Sequence, residues 1–428
     1  MSTTRRTFLG AVASAPLVIP ASSPGFGSRH PASDRITVGI IGCGKMANDY
    51  HIPRLLAQPD TQLVAVCEVD RTRREHAAGI INRHYGGEAG GGFQGVDQYE
   101  DYRELVARDD IDAVCIVTPD HWHAIPLIEA CQAGKDVYCE KPLTLTIREA
   151  ERCIQAARRH ARVVQTGSQQ RSNVFGKFRQ AVEIVRSGRL GPIRRVTVGV
   201  GDPPLPCDLG GEAIESGLNW DLWLGCAPLR EYHSILSPRG VHGHFPQWRK
   251  YHEYSGGGHS DMGAHHYDIA QWALDMDESG PVEIIPPGDP DARRGVRYRY
   301  ANGIELEHGG PGGCVFHGDN GTLRIDRGVL ESDPLSIVET PLGQDDVRLP
   351  VSPGHHRDWL DCIRSRQRPV ADVEKGARTA TLVHLGNLAY RHRRPFRWNP
   401  ENWQFEDAAD DRYLDRERRD PWYLPESG

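Results

Sequence analysis

Short apolar runs alternate with helical patterns over residues 34–170. The runs are rich in β-branched residues, as is typical of strands buried on both faces, and they lie at 36–41, 63–67, 113–117, 136–139 and 163–166. Helical patterns lie between or after them, at 47–58, 71–84, 101–107, 123–133 and 147–160. This alternation predicts a doubly wound parallel sheet, a Rossmann domain. Ligands bind beyond the carboxyl ends of such strands, which places around one crevice Gly44, Glu68, Pro119, Lys141 and Gln165.

The pattern changes after residue 170. One helix is predicted at 174–187, and alternating segments predict strands at 194–200, 282–285, 296–300, 304–308, 313–317 and 322–326. Asn302-Gly303 and Asn320-Gly321 are hairpin-turn signals, so the strands should form a large, open, mostly antiparallel sheet. Residues 355–391 read as a helix interrupted at Pro369. We therefore predict a Rossmann domain at 34–170, an α+β substrate and oligomerisation domain at 171–350, and a packing helix and tail at 351–428.

A glycine-rich turn after the first predicted strand has the pattern of a dinucleotide-binding site. Gly42-Cys43-Gly44-Lys45-Met46-Ala47 matches G-x-G-x-x-[GA]. Gly42 permits the tight turn, Gly44 lets the backbone approach a pyrophosphate, and Ala47 keeps the helix close to the sheet. Glu68 ends the next strand, where its carboxylate can bind a ribose hydroxyl. The unit predicts NAD as cofactor, with Lys45 and Met46 among its contacts.

The choice between NAD and NADP depends on charges beside that strand end. Glu68 would repel a 2′-phosphate, which favours NAD. Arg71, Arg73 and Arg74 follow closely and could offset this repulsion, so NADP stays open.

The N-terminal residues have the features of an export signal. Arg5-Arg6-Thr7-Phe8-Leu9 is a twin-arginine pattern, and a short apolar stretch at 10–19 follows it. That stretch is too short to span a bilayer, so no membrane span is expected. We predict a leader over 1–33, export by the Tat route, and a periplasmic or extracellular protein. Tat carries folded proteins, which favours a tightly bound cofactor; the alternative is a disordered basic leader.

Composition restricts the class of protein. With 428 residues the chain is long enough for two domains, and 38% hydrophobic and 25% charged residues are typical of a soluble globular protein. A net charge of −7 with scattered cations argues against nucleic acid as the main partner. The ten cysteines include no CxxC pair, and most are interpreted as small buried hydrophobes.

Two short motifs contain candidate catalytic residues. Glu140-Lys141-Pro142 ends a predicted strand at the crevice, where the lysine could polarise a substrate oxygen. Asp261 and His265 are four residues apart on a predicted helix, so both should project from one face. Asp261 could then orient His265, whose ordinary pKa suits proton transfer. The alternatives are a surface lysine, a helix cap at Asp261 and buried core histidines at His265 and His266.

Together these motifs resemble the Gfo/Idh/MocA family of nicotinamide-dependent oxidoreductases, most of which act on sugars and cyclitols. The resemblance covers roughly residues 35–398 and includes the glycine turn, Thr118-Pro119 with His123, Glu140-Lys141-Pro142 and Asp261-x-Gly263-x-His265. It implies catalytic roles for Lys141, Asp261 and His265. It also implies cofactor contacts at the glycine turn, Glu68, Thr118, Pro119, His123, Glu140, Lys141 and Gln169. Sheets of this family commonly pair face to face, so a homo-oligomer is expected.

The resulting functional hypothesis is an NAD(P)-dependent oxidoreductase acting on a carbohydrate or polyol. Candidate substrate contacts are His266 and three aromatic residues of the long 201–257 segment, Trp220, Trp248 and Tyr251. Any one of these aromatic residues could equally be a core residue. A redox-neutral glycosidase or lyase that oxidises its sugar transiently is the main alternative, and a non-catalytic sugar or dinucleotide sensor is another.

Seven histidines between residues 233 and 266 raise the separate hypothesis of a zinc or manganese site. They show no HExxH or comparably spaced set. We therefore expect no metal.

Overall fold

The structure is a computed structural model, and it describes residues 34–88, 95–172 and 174–426. The predicted twin-arginine leader at 1–33 lies outside the described residues.

Six parallel strands form the first sheet, in the order β3-β2-β1-β4-β5-β6. The strands are β1 Ile36–Ile41, β2 Thr61–Cys67, β3 Asp97–Tyr99, β4 Ala113–Ile116, β5 Asp136–Cys139 and β6 Val164–Thr166. The helices are α1 Ile52–Leu56, α2 Arg71–Glu88, α3 Tyr102–Val106, α4 Ala124–Gln132 and α5 Ile147–Arg159. The strand order reverses between β1 and β4, which is the point where such sheets bind ligands. The predicted doubly wound sheet is confirmed.

Two local features of this sheet differ from the prediction. A π-helix, Ala47–His51, replaces the first turns of the predicted helix and precedes α1. Pro53 has no N–H to donate to the preceding turn, which explains why regular α-helical bonding is interrupted here. The edge strand β3 was not predicted, because its three residues are mostly exposed and show no apolar pattern.

The second sheet has eight strands, in the order β12-β11-β10-β9-β8-β13-β14, with β7 paired to β10. The strands are β7 Ile193–Gly199, β8 Glu283–Ile285, β9 Arg297–Arg299, β10 Glu305–Gly318, β11 Gly321–Asp326, β12 Val329–Asp333, β13 Phe396–Asn399 and β14 Gln404–Phe405. The remaining helices are α6 Phe178–Arg186, α7 Trp220–Leu224, α8 Gly257–Asp261, α9 Gly263–Ala273, α10 Ser336–Glu339, α11 His355–Ser365 and α12 Val373–His392. All of its strand pairs are antiparallel, which confirms the predicted sheet type.

One strand of this sheet was predicted as two. The segments at 304–308 and 313–317 are both parts of β10, which bulges between them. The glycines of the bulge allow a close approach: a Cβ at Gly199 of β7 would lie 1.8 Å from the Pro311 carbonyl oxygen. The sequence analysis predicted two separate strands here, and the pairing of both segments with β7 explains why they form one strand.

Helix α12 joins the two sheets. It contacts α5 of the first domain and α9 of the second. A Cβ at Gly376 would lie 2.2 Å from Thr166 Oγ1, so α12 lies directly on β6. The outer face of the second sheet carries ion pairs such as Arg299–Glu283 and Arg299–Glu305. The carboxyl end of the first sheet and the inner side of the second domain therefore meet at one cleft.

No helix among the described residues is long and apolar enough to cross a membrane. All ten cysteines are unpaired, and nine of them are buried.

Acidification is expected to destabilise this fold. Burial lowers the pKa of His308, His355 and His384 to about 4 each, against about 6.5 in an unfolded chain. Between these values the unfolded state binds more protons than the folded state. The free energy of unfolding therefore decreases as the pH is lowered, by about 2 kcal/mol per histidine near pH 5. Burial also raises the pKa values of Asp120, to about 7, and of Glu129, Asp268 and Asp358. These four carboxyl groups act in the opposite sense, but they are outnumbered by the histidines whose pKa burial lowers, which also include His121, His259 and His356.

Urea unfolding at about pH 7 and about pH 5 measures this effect. A free energy of unfolding that is unchanged or higher at the lower pH would show that the histidines are not held neutral by burial.

Candidate active site

A cleft of about 970 Å³ lies at the carboxyl ends of β1, β2 and β4. The glycine turn, the strand ends and the 201–257 segment all contribute to it. Its lining includes Gly42, Gly44, Lys45, Met46, Glu68, Thr118, Pro119, Phe245, Trp248 and Arg249.

The glycine turn requires both of its glycines, for different reasons. Gly42 has a φ of +90°, and a Cβ there would lie 2.8 Å from the Val117 backbone. A Cβ at Gly44 would meet no protein atom within 4 Å, so this position faces open space. Gly42 therefore permits the turn, and Gly44 leaves the backbone free to approach a ligand.

Glu68 holds the turn through its carboxylate. Its two oxygens accept the backbone N–H groups of Cys43 at 2.8 Å and of Asp70 at 3.1 Å. Each carboxylate oxygen can accept a further bond, so Glu68 can also take a ribose hydroxyl. The Thr118 hydroxyl is buried at the same cleft without a hydrogen-bond partner in the described residues. The open face at Gly44 and this free hydroxyl fit a bound dinucleotide.

Lys141 and Asp261 meet beside the cleft, whose lining residue Arg249 lies 3.7 Å from the Asp261 carboxylate. Lys141 follows β5 and precedes a cis-proline, Pro142. Its ammonium donates to the Asp261 carboxylate at 2.7 Å and to the Asp261 carbonyl at 2.9 Å. Burial alone would raise the pKa of Asp261, but the charges of Lys141 and Arg249 outweigh it, so that pKa lies below its ordinary value. The pair is a charged lysine beside a charged aspartate.

His265 lies in the first turn of α9, and its backbone N–H donates to the carbonyl of Met262, the residue after Asp261, at 3.1 Å. Its ring is neutral. It is buried, and neither ring nitrogen makes a hydrogen bond to a described residue. Burial, together with the positive charges of Lys141 and Arg327, holds the pKa of His265 well below its ordinary value. The ring therefore has one nitrogen lone pair available near neutral pH, which is what a proton acceptor needs.

The predicted relation between Asp261 and His265 is wrong. The predicted single helix is interrupted at Met262, so Asp261 is the last residue of α8 and His265 lies in the first turn of α9. Asp261 pairs with Lys141 and not with His265. Sequence spacing could not predict this, since the partner of Asp261 lies 120 residues away.

Glu140 and Gln169 form a buried network beneath Lys141. The Glu140 carboxylate accepts hydrogen bonds from the His51 ring at 2.9 Å, the Gln169 amide at 2.8 Å and the Lys141 backbone N–H at 3.0 Å. Burial raises the pKa of Glu140, but the hydrogen bond and charge of His51 and the charge of Lys141 bring it below its ordinary value. These contacts fix the backbone that presents Lys141.

His123 lies between the ends of β4 and β5, where its ring contacts two backbone carbonyls. Its Nδ1 lies 2.7 Å from the Pro142 carbonyl oxygen, and its Nε2 lies 2.9 Å from the Thr118 carbonyl oxygen. Both ring nitrogens are thereby used within the protein, and His123 ties the ends of β4 and β5 together.

The candidate substrate residues separate into two groups. Trp220 stacks on Trp223 with centroids 4.6 Å apart, and Tyr251 belongs to the same buried aromatic cluster, so these two are core residues. Trp248 belongs to this cluster too, but it also lines the cleft. His266 is buried, with Nε2 3.5 Å from the Asp326 carboxylate.

Several polar residues at the cleft were missed by the sequence analysis. Arg249 Nε lies 3.7 Å from the Asp261 carboxylate, and the Ser255 hydroxyl donates to Asp120 at 2.6 Å. Arg327 acts electrostatically on His265 from the turn after β11. Asp120 directly follows a predicted strand end, a signal that could have found it. Arg249 and Arg327 belong to no recognisable motif.

Among the described residues, no group of three or more His, Cys, Asp or Glu side chains could hold a metal ion. His259, from the histidine-rich segment, is a core residue whose ring nitrogens contact Asn387 at 2.9 Å and the Tyr267 hydroxyl at 2.8 Å.

Two family models match this chain over most of its length. One is described as an oxidoreductase family with an NAD-binding Rossmann fold and matches residues 36–168. The other, the C-terminal alpha/beta domain of the same oxidoreductase family, matches residues 207–424. The chain belongs to the Gfo/Idh/MocA oxidoreductase family. The family assignment explains why an NAD(P)-binding Rossmann domain precedes the antiparallel sheet.

Individual relatives in the Gfo/Idh/MocA family are distant. A dTDP-3,4-didehydro-2,6-dideoxy-alpha-D-glucose 3-reductase of Actinomadura kijaniata is 31% identical over 46% of this chain and 54% of its own. An inositol 2-dehydrogenase of Saccharopolyspora erythraea is 24% identical over 68% of this chain and 73% of its own. The chain matches about half the length of the first curated relatives, 45% and 54%.

A solved structure supports the fold of this Gfo/Idh/MocA chain. The aldose-aldose oxidoreductase of Caulobacter crescentus, complexed with glycerol, has a TM-score of 0.56 at 20% identity. It covers 85% of this chain and 99% of its own. At this identity the likeness concerns the fold alone.

Substitutions at the two glycines should separate folding from cofactor binding. Gly44→Ala is expected to leave the thermal stability of the nucleotide-free protein nearly unchanged, because its Cβ meets no protein atom within 4 Å, but to remove bound cofactor by blocking the pyrophosphate. Gly42→Ala should lower both, because of its left-handed φ and its contact with Val117.

Thermal unfolding, and the nucleotide released on denaturation, measure the two effects. A Gly44→Ala protein that keeps its full complement of nucleotide would place the pyrophosphate elsewhere.

Proposed function

We propose that this chain is an NAD(P)-dependent oxidoreductase that moves a hydride between a carbon of a sugar or polyol and the nicotinamide. The supporting observation is the Lys141–Asp261 ion pair, whose lysine charge acts on the neutral ring of His265, beside the cleft where a Rossmann domain binds its cofactor. The sugar reductase and inositol dehydrogenase among the relatives support a carbohydrate or polyol substrate.

Each residue of the proposed site has a distinct role. His265 accepts the hydroxyl proton, because its ring is neutral and its nitrogens have no hydrogen-bond partner among the described residues. Lys141 donates to the substrate oxygen and stabilises the negative charge that develops there. Asp261 is a positioning residue, since it holds the Lys141 ammonium by two hydrogen bonds. Bound nicotinamide supplies the hydride acceptor.

NAD is proposed over NADP because of how the arginines after Glu68 are used. Arg73 donates to the Ser237 hydroxyl at 3.2 Å and to the Gly240 carbonyl at 3.1 Å, and it also bonds the Pro238 carbonyl. It therefore holds the 201–257 segment against the Rossmann domain and has little capacity left for a 2′-phosphate. Glu68 would repel such a phosphate.

Tight cofactor binding and export form a second part of the proposal. The 201–257 segment contributes Phe245, Trp248 and Arg249 to the cofactor cleft, which would slow exchange. The twin arginines at 5 and 6 support Tat export to the periplasm or outside, after the cofactor is loaded. Fractionation of cells expressing the full chain, against an Arg5→Lys/Arg6→Lys variant, tests the export.

A homo-oligomer is also proposed, on the open second sheet of this fold. Its exposed face carries the Arg299–Glu283 and Arg299–Glu305 ion pairs, so an interface there would be polar. Light scattering of the purified protein at low and high salt tests the assembly: a monomer under both conditions contradicts it.

The function is tested in two steps on the purified protein. Denaturation should release NAD, and the intact holoenzyme mixed with a panel of sugars and polyols should show the absorbance of reduced nicotinamide. Cleavage of a glycoside without any net absorbance change would favour the redox-neutral glycosidase. Bound nucleotide with no turnover of any sugar, polyol or glycoside would favour a sensor.

A further inference from the structure

Arg327 occupies the turn between β11 and β12, directly after Asp326, whose carboxylate lies 3.5 Å from His266. The turn lies on residues 175–176, with the Gly328 N–H donating to the Phe175 carbonyl at 3.3 Å. The guanidinium carbon lies 4.5 Å from the centre of the Phe175 ring. Both residues are exposed, and Phe175 is 44% exposed. A cation and an aromatic ring therefore lie side by side at the surface of the protein.

The Arg327 side chain has no acidic partner. In the described parts of the chain, it makes neither a hydrogen bond nor an ion pair. Its neighbour Arg324 pairs with Glu331 at 2.9 Å, and the buried Arg171 pairs with two aspartates. Partial burial lowers the pKa of Arg327, whereas the pairing outweighs burial and raises the pKa of Arg171. Arg327 therefore retains hydrogen-bonding capacity for an anion.

The charge of Arg327 reaches the proposed catalytic residues. It lowers the pKa values of Asp261, His265 and His266, after larger effects of burial and other charges. It also acts on Tyr50, which follows the glycine turn. Asp326, the residue before Arg327, lies 3.5 Å from His266, so Arg327 is next to the catalytic helix α9 of the second domain, and its charge acts on both Asp261 and Tyr50.

The carboxylates nearby are already used by other groups. Lys141 pairs with Asp261, and His51 bonds Glu140. Asp326 accepts the backbone N–H of Arg327 at 2.7 Å and lies 3.5 Å from His266. The Arg327 side chain therefore remains a cation whose N–H donors have no acceptor among the described residues.

We propose that Arg327 binds an anionic group of the substrate, so that the enzyme prefers acidic sugars over neutral ones. A carboxylate or a phosphate can take two parallel hydrogen bonds from a guanidinium, and both meet the same requirement. Phe175 supplies an apolar surface beside it for the C–H face of the sugar ring. This inference rests on the proposed oxidoreductase function.

Matched probes test the preference on the holoenzyme. They are D-glucuronate, D-galacturonate, D-glucose 6-phosphate, D-glucose and D-galactose. We expect kcat/KM for at least one acidic probe to exceed that of its neutral counterpart by about 10- to 100-fold, the effect of a charge-assisted hydrogen-bond pair. A carboxylate subsite favours the uronates, and a phosphate subsite favours the 6-phosphate.

Arg327→Gln should reduce the ratio of acidic to neutral kcat/KM to near one, and Arg327→Lys should restore part of it. Arg324→Gln removes the same charge from the same hairpin, on an arginine that pairs with Glu331, and should keep the wild-type ratio. A wild-type ratio near one, or a ratio that Arg327→Gln leaves unchanged, would overturn the proposal.

Calorimetric titration of the same probes separates this inference from the proposed function. If no sugar is turned over, the oxidoreductase proposal fails, but binding of an acidic probe that weakens about 10- to 100-fold in Arg327→Gln still supports the anion subsite. Absence of binding by every acidic probe, or equal binding by wild type and Arg327→Gln, would overturn the subsite by itself.

Discussion

Lys141→Met is expected to lower kcat on the order of 10³-fold while the cofactor stays bound. The substitution keeps most of the length of the side chain and removes the ammonium that bonds Asp261. A donor directed at a developing oxyanion contributes about 10²- to 10³-fold to kcat. Asp261 also loses its principal counter-charge, so its carboxylate would repel the developing charge. Steady-state kinetics and the nucleotide released on denaturation measure both parts.

Lys135→Met is the matched control for this variant. Lys135 is also largely buried, and its ammonium donates to the Arg108 carbonyl at 2.6 Å in the Rossmann domain. It makes no hydrogen bond or ion pair with Asp261. It should keep kcat within a few-fold of wild type even if stability falls. A Lys141→Met enzyme with wild-type kcat would remove Lys141 from the mechanism.

His265→Asn is expected to lower kcat by about 10²- to 10⁴-fold, the contribution of a positioned general base. Asparagine fills part of the space of the ring, and its amide cannot accept a proton near neutral pH. Because neither nitrogen of His265 bonds a described residue, the change breaks no protein hydrogen bond. Loss of activity would therefore report the proton transfer more than a loss of structure. Kinetics with the best substrate of the panel, and thermal unfolding, provide the comparison.

His76→Asn makes the same exchange on an exposed residue of α2 and should leave kcat unchanged. If His265→Asn keeps its thermal stability and turns over like wild type, then another group accepts the proton. Asp120, whose pKa burial raises to about 7, would then be the next candidate, since it interacts with Lys141 and Asp261.

The Rossmann domain could be predicted from the sequence because its signals are local. Each strand is a short apolar run, and the glycine turn occupies six consecutive residues. Strand β5 matches the prediction of 136–139 residue for residue. The second sheet was less predictable: β13 pairs with β8, more than 100 positions earlier in the sequence, and no local pattern specifies such pairing.

The candidate site was predictable in its residues but not in its partners. Lys141, Asp261 and His265 were found by motif, but the pairing of Lys141 with Asp261 arises from the meeting of two domains. His123 matched a motif and is used to hold two strand ends. No sequence motif indicated Arg327, since its proposed role depends on the absence of an acidic partner in the folded structure.

Single-turnover reduction of the bound nicotinamide tests the convergence of Lys141 and His265 most directly. The holoenzyme is mixed rapidly with the best sugar of the panel, and the absorbance of reduced nicotinamide is followed in wild type and in a Lys141→Met/His265→Asn double variant. If the two side chains act together on one substrate hydroxyl, the double variant keeps its cofactor, and its reduction rate falls by about 10³-fold or more. Reduction at the wild-type rate in the double variant would contradict the mechanism.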